Sequence, residues 1–309
     1  MISEIKRRKA VFQSKDDTML NATIATAFIV ILALEAAVII IGNVFTIFVF
    51  KTQSRLHLKR TCILLINLAV ADLFVGVGEV VVLITHKISG SEIGLLNLSF
   101  TFQAFGSCAS LMFLALISLE RVYSVFWPLR HRVTSARAYI FGIVIVWVLG
   151  LSNGGLNMIT VFHSQVDSIY ATVAGDLLLF FCLGAICASY LSIRSRLYAT
   201  KPELQASHRR STREQNLRLS KTFYIVVAVS LIFWLPGFVV YNISAFCWQC
   251  FSPKILWFVN ALHLANSMVN PFVYSFRMKI FQDSLKKCWK KRQQSIALTA
   301  LPVNRQWGR

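Results

Sequence analysis

The sequence predicts an all-α membrane protein, a seven-transmembrane helix bundle followed by a short amphipathic eighth helix. Of its 309 residues, 56% are hydrophobic and only 15% are charged, which is too apolar a balance for a soluble domain of this length. Seven windows are apolar over about twenty residues or more, enough for a helix to cross roughly 30 Å of hydrocarbon. The windows run from Ile24 to Phe50, Thr61 to Thr85, Leu96 to Phe126, Ala138 to Val161, Ala171 to Ile193, Leu219 to Ala245 and Ile255 to Phe276.

The distribution of the 32 Lys and Arg residues predicts the orientation of the chain. Most of them lie in three of the segments between windows (one and two, three and four, five and six) and in the tail after the seventh window. By the positive-inside rule these segments are cytoplasmic and the N-terminus is outside, although the basic run 6–9 lies on the side assigned to the exterior. We expect an extracellular tail over residues 1–23, the seven-helix domain over 24–276, the amphipathic helix over 277–290 and a cytoplasmic tail over 291–309.

The net charge of +19 does not indicate nucleic-acid binding, because the charges flank the windows and do not line one face. Anionic lipid of the inner leaflet is the expected counterpart. From Phe276 to Trp289, apolar residues alternate with Lys and Arg at the spacing of an interfacial helix. Cys288 in this segment is either a palmitoylation site or a plain thiol.

Charged residues at two places in the windows are candidate functional groups. Glu120 and Arg121 end the third window, and charges at such depth usually serve a function, so we interpret the pair as a switch. The alternative is that both side chains extend to the lipid headgroups. Asp72 lies about halfway along the second window, where an ionisable group needs a partner or a bound cation; the alternative is a hydrogen bond that holds helices together. Polar residues at similar depth on other windows are Ser110, Asn266, Ser267 and Asn270.

An ordered set of motifs on successive windows identifies a family. The set consists of Asn43, Leu68-Ala69-Val70-Ala71-Asp72, Glu120-Arg121-Val122, Trp147, Phe233-Trp234-Leu235-Pro236 and Asn270-Pro271-Phe272-Val273-Tyr274. With these motifs, the chain resembles the rhodopsin-class G-protein-coupled receptors from about Ile24 to Trp289. The resemblance implies a plasma-membrane receptor that binds an extracellular ligand and activates a heterotrimeric G protein.

The resemblance also assigns roles to the switch residues. Glu120 would restrain Arg121 in the idle receptor, and an outward swing of the sixth helix, hinged at Pro236, would free it and open a crevice for the G protein. Tyr190 and Tyr274 would be partners of Arg121 in the open state, and Asn270-Pro271 belongs to the motif that ends the seventh helix. The polar residues around Asp72 match a pocket that holds a sodium ion in many members; no other cofactor is implied.

Family position further implies a ligand pocket formed by Gln103, Trp234, Phe238, Tyr241, Asn242 and Asn260. Its lining is mostly apolar and aromatic, which suits a neutral small molecule, a lipid or a peptide. Gln103 stands where receptors for biogenic amines carry an aspartate, so an amine ligand is disfavoured. For each of these residues, packing between helices is the alternative role.

Several departures from the family pattern point to one branch. Leu96 replaces the cysteine that usually bridges the third helix to the second outer loop, and Cys182 replaces the usual proline of the fifth helix. Cys247 and Cys250 lie where an oxidising exterior favours a local disulfide, with metal binding by the reduced pair as the alternative. In these features the chain resembles the branch that includes melanocortin, cannabinoid and lysophospholipid receptors. Asn216 replaces the acid that often restrains the arginine from the sixth helix, which predicts raised basal signalling.

Rival functions fit the sequence less well. An opsin needs a lysine in the middle of the seventh helix, and only Lys254 lies near that window. A transporter would show paired broken helices in repeated halves, whereas this chain has an odd number of windows and no internal repeat. No metal-binding histidine pair, nucleophile elbow or phosphate loop suggests an enzyme. A non-signalling decoy or scaffold receptor stays open, because the motifs show descent and not coupling.

Overall fold

The computed structural model describes residues 2–51, 56–88, 93–162, 168–199, 228–244 and 252–278, with isolated residues and short stretches at 225, 247, 250, 281–283, 285–287, 289–290 and 293. Across these ranges the chain is helical almost throughout. In chain order the helices are α1 (Ile2–Lys51), α2 (Leu56–Ile88), α3 (Ile93–Phe126), α4 (Pro128–Val133), α5 (Ala136–Phe162), α6 (Ser168–Ala199), α7 (Ala228–Ser244) and α8 (Pro253–Arg277).

Five stretches of the described chain are long and apolar enough to cross a membrane. They are Thr23–Lys51, Arg60–Thr85, Thr101–Phe126, Ala136–Ile159 and Val173–Arg196, and each coincides closely with one of the first five predicted windows. Helix α7 is a shorter apolar helix, and the start of its predicted window lies outside the described residues. Helix α8 covers the seventh window and begins at Pro253, where the missing N–H of proline removes no helical hydrogen bond.

Helix α3 lies at the centre of the bundle. It packs against α2, α4, α5 and α6, and 72% of its apolar window is buried, compared with 17% for the windows of α1 and α5. Its side chains Ala109, Phe113 and Ile117 are fully buried. The motif residues at one end of α3 are therefore held on the most buried of the five long apolar stretches.

Glycines bring the first three helices into close contact. A Cβ at Gly106 of α3 would lie 2.8 Å from the carbonyl oxygen of Ala71 and 2.9 Å from the backbone nitrogen of Val75, so only glycine fits against α2 there. At Gly76 of α2, a Cβ would lie 2.9 Å from the side chain of Ile39 on α1. Small residues of this kind let membrane helices approach backbone to backbone.

The described part of the segment after α8 turns back onto α1. Phe281 is fully buried, and its ring centroid lies 5.5 Å from that of Phe50 and 6.1 Å from that of Phe45. The amide of Gln282 donates to the carbonyl oxygen of Ser275 at 3.1 Å, which fixes the turn. Cys288, the predicted palmitoylation site, lies outside the described residues.

Candidate functional site

The predicted switch pair lies at the inner end of α3 and is buried. Glu120 and Arg121 are 6% and 5% exposed, and the guanidinium of Arg121 forms an ion pair with the carboxylate of Glu120. Thr61 of α2 joins them, because its hydroxyl accepts a hydrogen bond from Arg121 Nη2 at 2.5 Å and donates to Glu120 Oε1 at 3.5 Å. Burial of both charges is the arrangement expected of a restrained switch, not of side chains that extend to the headgroups.

A histidine from the short helix α4 completes this group. His131 Nε2 donates to Glu120 Oε1 at 2.9 Å, and Arg60 Nη1 donates to the carbonyl oxygen of His131 at 2.6 Å. The imidazole also packs edge-on against Tyr123, with 5.8 Å between ring centroids. Helix α4 is thereby tied to α2 and α3, and we call Thr61, Glu120, Arg121 and His131 the inner network.

Sequence reasoning did not identify Thr61 or His131 as part of the switch. Thr61 is 59 residues from Glu120 along the chain, and His131 belongs to a six-residue helix after the third window. The sequence contains one usable signal, Pro128, which is typical of a helix start and predicts a new helix here without fixing its direction. No pattern in the sequence predicts which carboxylate His131 would bond.

The tyrosines assigned to the open state lie elsewhere in this conformation. Tyr274 is fully buried with its ring edge-on to Phe50 at 6.0 Å, and its hydroxyl has no hydrogen-bond partner among the described residues. The hydroxyl of Tyr190 accepts a hydrogen bond from Arg194 Nη1 at 3.4 Å. Pro271 packs beside α1, where a Cβ on Gly42 would lie 3.1 Å from its Cγ.

The structure brings the mid-membrane polar residues together around Asp72. Its Oδ1 accepts a hydrogen bond from Ser110 Oγ at 2.7 Å and its Oδ2 accepts one from Asn270 Nδ2 at 2.8 Å. Asn266 and Ser267 are buried at the same level of α8, and the carbonyl oxygen of Ser267 accepts from Asn43 at 3.3 Å. Their spacing along α8 places Asn266, Ser267 and Asn270 on one side of the helix.

The donor set around Asp72 fits a sodium ion. Hard cations prefer oxygen ligands, and this cluster offers a carboxylate, serine hydroxyls and amide oxygens in a site removed from solvent. Asn266 Oδ1 is buried and has no hydrogen-bond partner within the described part of the chain, which is an oxygen that a cation could use. Asp72, Ser110, Asn266, Ser267 and Asn270 are thus a chemically suitable set.

A cavity of about 230 Å³ lies between α3, α5, α6, α7 and α8 in the half of the bundle away from the inner network. Its lining includes Trp234, Phe238 and Tyr241 of the predicted pocket and also His263. Sequence reasoning did not assign three of its other polar residues, Asn153, Asn157 and Asp176. The rings of Trp234 and His263 lie 4.3 Å apart between centroids. Trp234 Nε1 and His263 Nε2 are buried without hydrogen-bond partners among the described residues.

Two further predicted pocket residues meet at a buried acid beside the cavity. Gln103 Nε2 donates to Glu79 Oε2 at 2.6 Å and Asn260 Nδ2 lies 3.4 Å from the same oxygen. Glu79 is fully buried, and its other oxygen has no partner in the described chain. The sixth predicted residue, Asn242, is not in the cavity lining, but it donates to the carbonyl oxygen of Phe238 on its own helix and also bonds the carboxylate of Asp176, which is in the lining. A carboxylate therefore stands directly behind Gln103, which the sequence did not reveal.

Cys247 and Cys250 are joined by a disulfide between α7 and α8, with 5.4 Å between their Cα atoms. The bond closes a very short loop, because the two cysteines are only three positions apart. It does not link this end of the bundle to α3, where Leu96 stands in place of the usual bridging cysteine.

These features define a class: a multi-pass membrane protein with a cavity on one side, a buried ion pair on the other, and a polar cluster between them. The sequence matches the family of 7 transmembrane receptors (rhodopsin family) over residues 42–274. The chain belongs to this family and is a G-protein-coupled receptor, so the predicted fold class and receptor function are confirmed.

Individual relatives agree with this assignment. The chain is 25% identical over 285 residues to lysophosphatidic acid receptor 3 of Mus musculus, covering 81% of this chain and 77% of the relative. It is 29% identical over 291 residues to somatostatin receptor type 5 of Bos taurus, covering 85% and 76% of the two chains. It is 27% identical over 292 residues to adenosine receptor A2a of Canis lupus familiaris, covering 82% and 69%.

Proposed function

We propose that this receptor lies in the plasma membrane with its N-terminus outside, binds its extracellular ligand in the cavity beside Trp234, and activates a heterotrimeric G protein by releasing Arg121. One observation carries the proposal: the cavity and the inner network are built on the same central helix, since α3 contributes Ala104, Ser107 and Cys108 to the former and Glu120 and Arg121 to the latter. A ligand that shifts α3 against α7 thereby acts on both ends of the bundle.

The inner network supplies the restraint that activation must overcome. Separating a buried ion pair leaves two charges without compensation, which typically costs about 3–5 kcal/mol. Thr61 and His131 add hydrogen bonds to the same carboxylate, so the idle conformation is fixed from α2 and α4 as well as from α3. Tyr190 and Tyr274 are the partners proposed for Arg121 once α7 has swung outward about Pro236.

The cavity supports a ligand with a substantial apolar part. Leu111, Leu178, Leu179, Phe233, Trp234 and Phe238 are large apolar residues of its lining, and Asn153, Asn157, Asp176 and His263 add polar groups. Such a mixture binds drug-sized molecules, with polar groups that fix their orientation. Lysophosphatidic acid, somatostatin and adenosine receptors are among the relatives, so lipid, peptide and nucleoside ligands are the three chemistries to test.

Sodium is proposed as an allosteric ligand at Asp72. The ion would be held by the carboxylate of Asp72 and by oxygens of Ser110, Asn266, Ser267 and Asn270, and it supplies positive charge that offsets the buried carboxylate. Asp72 is fully buried, so an uncompensated charge there is costly. The ion would stabilise the idle conformation, because it draws α2, α3 and α8 together.

A G-protein dissociation assay in cells tests the proposal. The receptor is expressed with a panel of labelled heterotrimers and exposed to pools of lipids, nucleosides and peptides. We expect one pool to dissociate at least one heterotrimer, and Arg121→Ala at equal surface expression to abolish that response. A ligand that binds the receptor without dissociating any heterotrimer would instead indicate a decoy receptor.

A further inference from the structure

We propose that His131 is a second counter-ion for Glu120, which stays on the carboxylate when Arg121 leaves and makes that release sensitive to cytoplasmic pH. The inference rests on the proposed function, since it assumes that Arg121 leaves Glu120 during activation. It assigns a positioning role to a residue of α4 that the family motifs do not include.

The geometry allows Arg121 to leave without disturbing His131. The two side chains use different oxygens of the carboxylate, His131 on Oε1 and Arg121 on Oε2. His131 is also held independently, because its backbone N–H donates to the carbonyl oxygen of Trp127 at 2.8 Å and its own carbonyl accepts from Arg60 at 2.6 Å. Departure of the guanidinium therefore leaves the imidazole in place beside Glu120.

Electrostatics then couples the proton on His131 to the position of Arg121. While Arg121 is in place, a proton on His131 gains attraction to Glu120 but also meets repulsion from the guanidinium. After Arg121 leaves, only the attraction remains, so the released conformation binds the proton more tightly. By linkage, lowering the cytoplasmic pH favours release, and histidine is the side chain whose charge changes most readily near neutral pH.

The other charged and titratable groups around His131 do not reverse this sign. Arg60 on α2 contacts the backbone of His131 and carries its charge in both conformations. Tyr123 on α3 packs edge-on against the imidazole, and Tyr139 on α5 lies under Arg60. Tyrosine is uncharged at neutral pH, so Arg121 is the charged group among these whose position changes between the two conformations.

The first test measures nucleotide exchange by G protein on the full-length receptor in lipid nanodiscs without ligand. Lowering the pH from about 7.5 to about 6, across the range in which histidine titrates, should raise receptor-dependent exchange about fivefold, a typical coupling between linked sites. His131→Gln keeps a hydrogen-bond donor but cannot be charged, so its exchange should not vary with pH once that of the G protein alone is subtracted. His86→Gln, on the other end of α2, is the matched control and should behave as the parent. A pH response that persists in His131→Gln, or one absent from the parent, would overturn the inference.

The second test needs no G protein and separates this inference from the proposed function. Imidazole protonation is followed by NMR on histidine-labelled receptor, with the His131 signal identified by its loss in His131→Gln. In Arg121→Gln, which removes the competing charge, His131 should hold its proton to higher pH than in the parent; in Glu120→Gln it should release the proton at lower pH. Unchanged titration in both variants contradicts the inference. If no heterotrimer shows exchange, the proposed function fails and this measurement alone decides the role of His131.

Discussion

The inner network and the outer cavity differ in whether their buried polar atoms have hydrogen-bond partners among the described residues. Glu120 and Arg121 receive partners from α2 and α4 in addition to each other. Around the cavity, by contrast, Glu79 Oε1, Trp234 Nε1 and His263 Nε2 have no partner in the described part of the chain. Each unsatisfied buried group costs about 1–3 kcal/mol. Within the described residues, the inner network is therefore satisfied by its own four members, whereas the cavity end has buried polar atoms that are available to a ligand.

This contrast explains how energy could pass between the two ends. A ligand that hydrogen-bonds the unpartnered polar atoms at the cavity stabilises the conformation in which those bonds are strongest. It shifts the equilibrium between the idle and active conformations only if it binds one of them more tightly. Opening the inner network costs a few kcal/mol. Three unsatisfied polar groups at the cavity, each costing about 1–3 kcal/mol, would release a similar free energy if a ligand satisfied them. Substitutions at either end test this contrast directly.

The largest expected effect follows from Arg121→Ala. Agonist-driven exchange should fall to the level of cells without receptor, and the loss of the buried guanidinium beside Glu120 should lower the free energy of unfolding by about 3 kcal/mol. Exchange is measured on purified receptor with G protein, and stability by thermal unfolding. Arg130→Ala, at an exposed arginine of α4, is the control and should change neither quantity. An intact response in Arg121→Ala would remove the inner network from the mechanism.

Gly106→Ala tests the backbone contact that joins α2 and α3 between the two ends. The new Cβ would lie 2.8 Å from the carbonyl oxygen of Ala71, so the helices must separate, at a cost of about 1–3 kcal/mol. Thermal unfolding should show a clear drop in melting temperature. Gly155→Ala is the matched control, because no atom lies within 4 Å of its added Cβ. Equal melting temperatures for the two variants would contradict this close approach.

Asp72→Asn tests the polar cluster that lies between the two regions. In the parent, replacing choline chloride by sodium chloride at constant ionic strength should raise the melting temperature by a few degrees, equivalent to about 1–2 kcal/mol of binding linkage. Asp72→Asn removes the charge that attracts the ion, so this dependence should disappear. Ser118→Ala, whose hydroxyl bonds only to Leu114 of its own helix in the described contacts, is the control. Sodium dependence that survives in Asp72→Asn would place the ion elsewhere.

The smallest expected effect on stability comes from Glu79→Gln at the outer end. The substitution removes a buried charge that has an unpartnered oxygen, so ligand-free stability should change by less than about 1 kcal/mol or rise slightly. Glu120→Gln, the matched substitution in the inner network, should destabilise the receptor more, because three side chains lose a charged acceptor. Thermal unfolding of the two variants side by side decides the matter. A larger loss for Glu79→Gln would reverse the contrast between the two regions.

The sequence predicted those features that depend only on which residue types occur and on how far along a membrane-spanning helix they lie. Apolar windows predicted the helices, and polar residues halfway along several windows predicted the cluster at Asp72, because helices of similar length place equal depths side by side. The acid and base of the switch are adjacent in sequence, so their pairing needed no knowledge of packing. The role of each of these residues in signalling stays a prediction.

Contacts that depend on how helices are rotated against each other could not be predicted in the same way. Glu79 and Gln103 are 24 residues apart on different helices, and only packing brings their side chains to 2.6 Å. His131 reaches Glu120 because α4 folds back under α3, a direction that its six residues do not encode alone. Asn242 looks equivalent to Asn260 in sequence, yet its side chain meets Asp176 on α6 while that of Asn260 meets Glu79 on α2. Segment 201–224, which includes Asn216, lies outside the described residues, so the predicted rise in basal signalling stays open.

The glycine contacts distinguish a closely packed group of helices, α1 to α3, from the less constrained helices α6 and α7. Gly76 and Gly106 let α1, α2 and α3 pack so closely that a methyl group on either glycine would overlap the neighbouring helix, and we expect these three helices to move as one unit. Helices α6 and α7, which carry many lipid-exposed side chains such as Phe180, Phe181 and Ile232, have no such constraint in the described contacts. Paired spin labels on α1 and α3 should therefore keep one separation throughout the activity cycle. A chemical crosslink between α1 and α3 should leave G-protein activation unchanged, whereas a crosslink between α3 and α7 should abolish it.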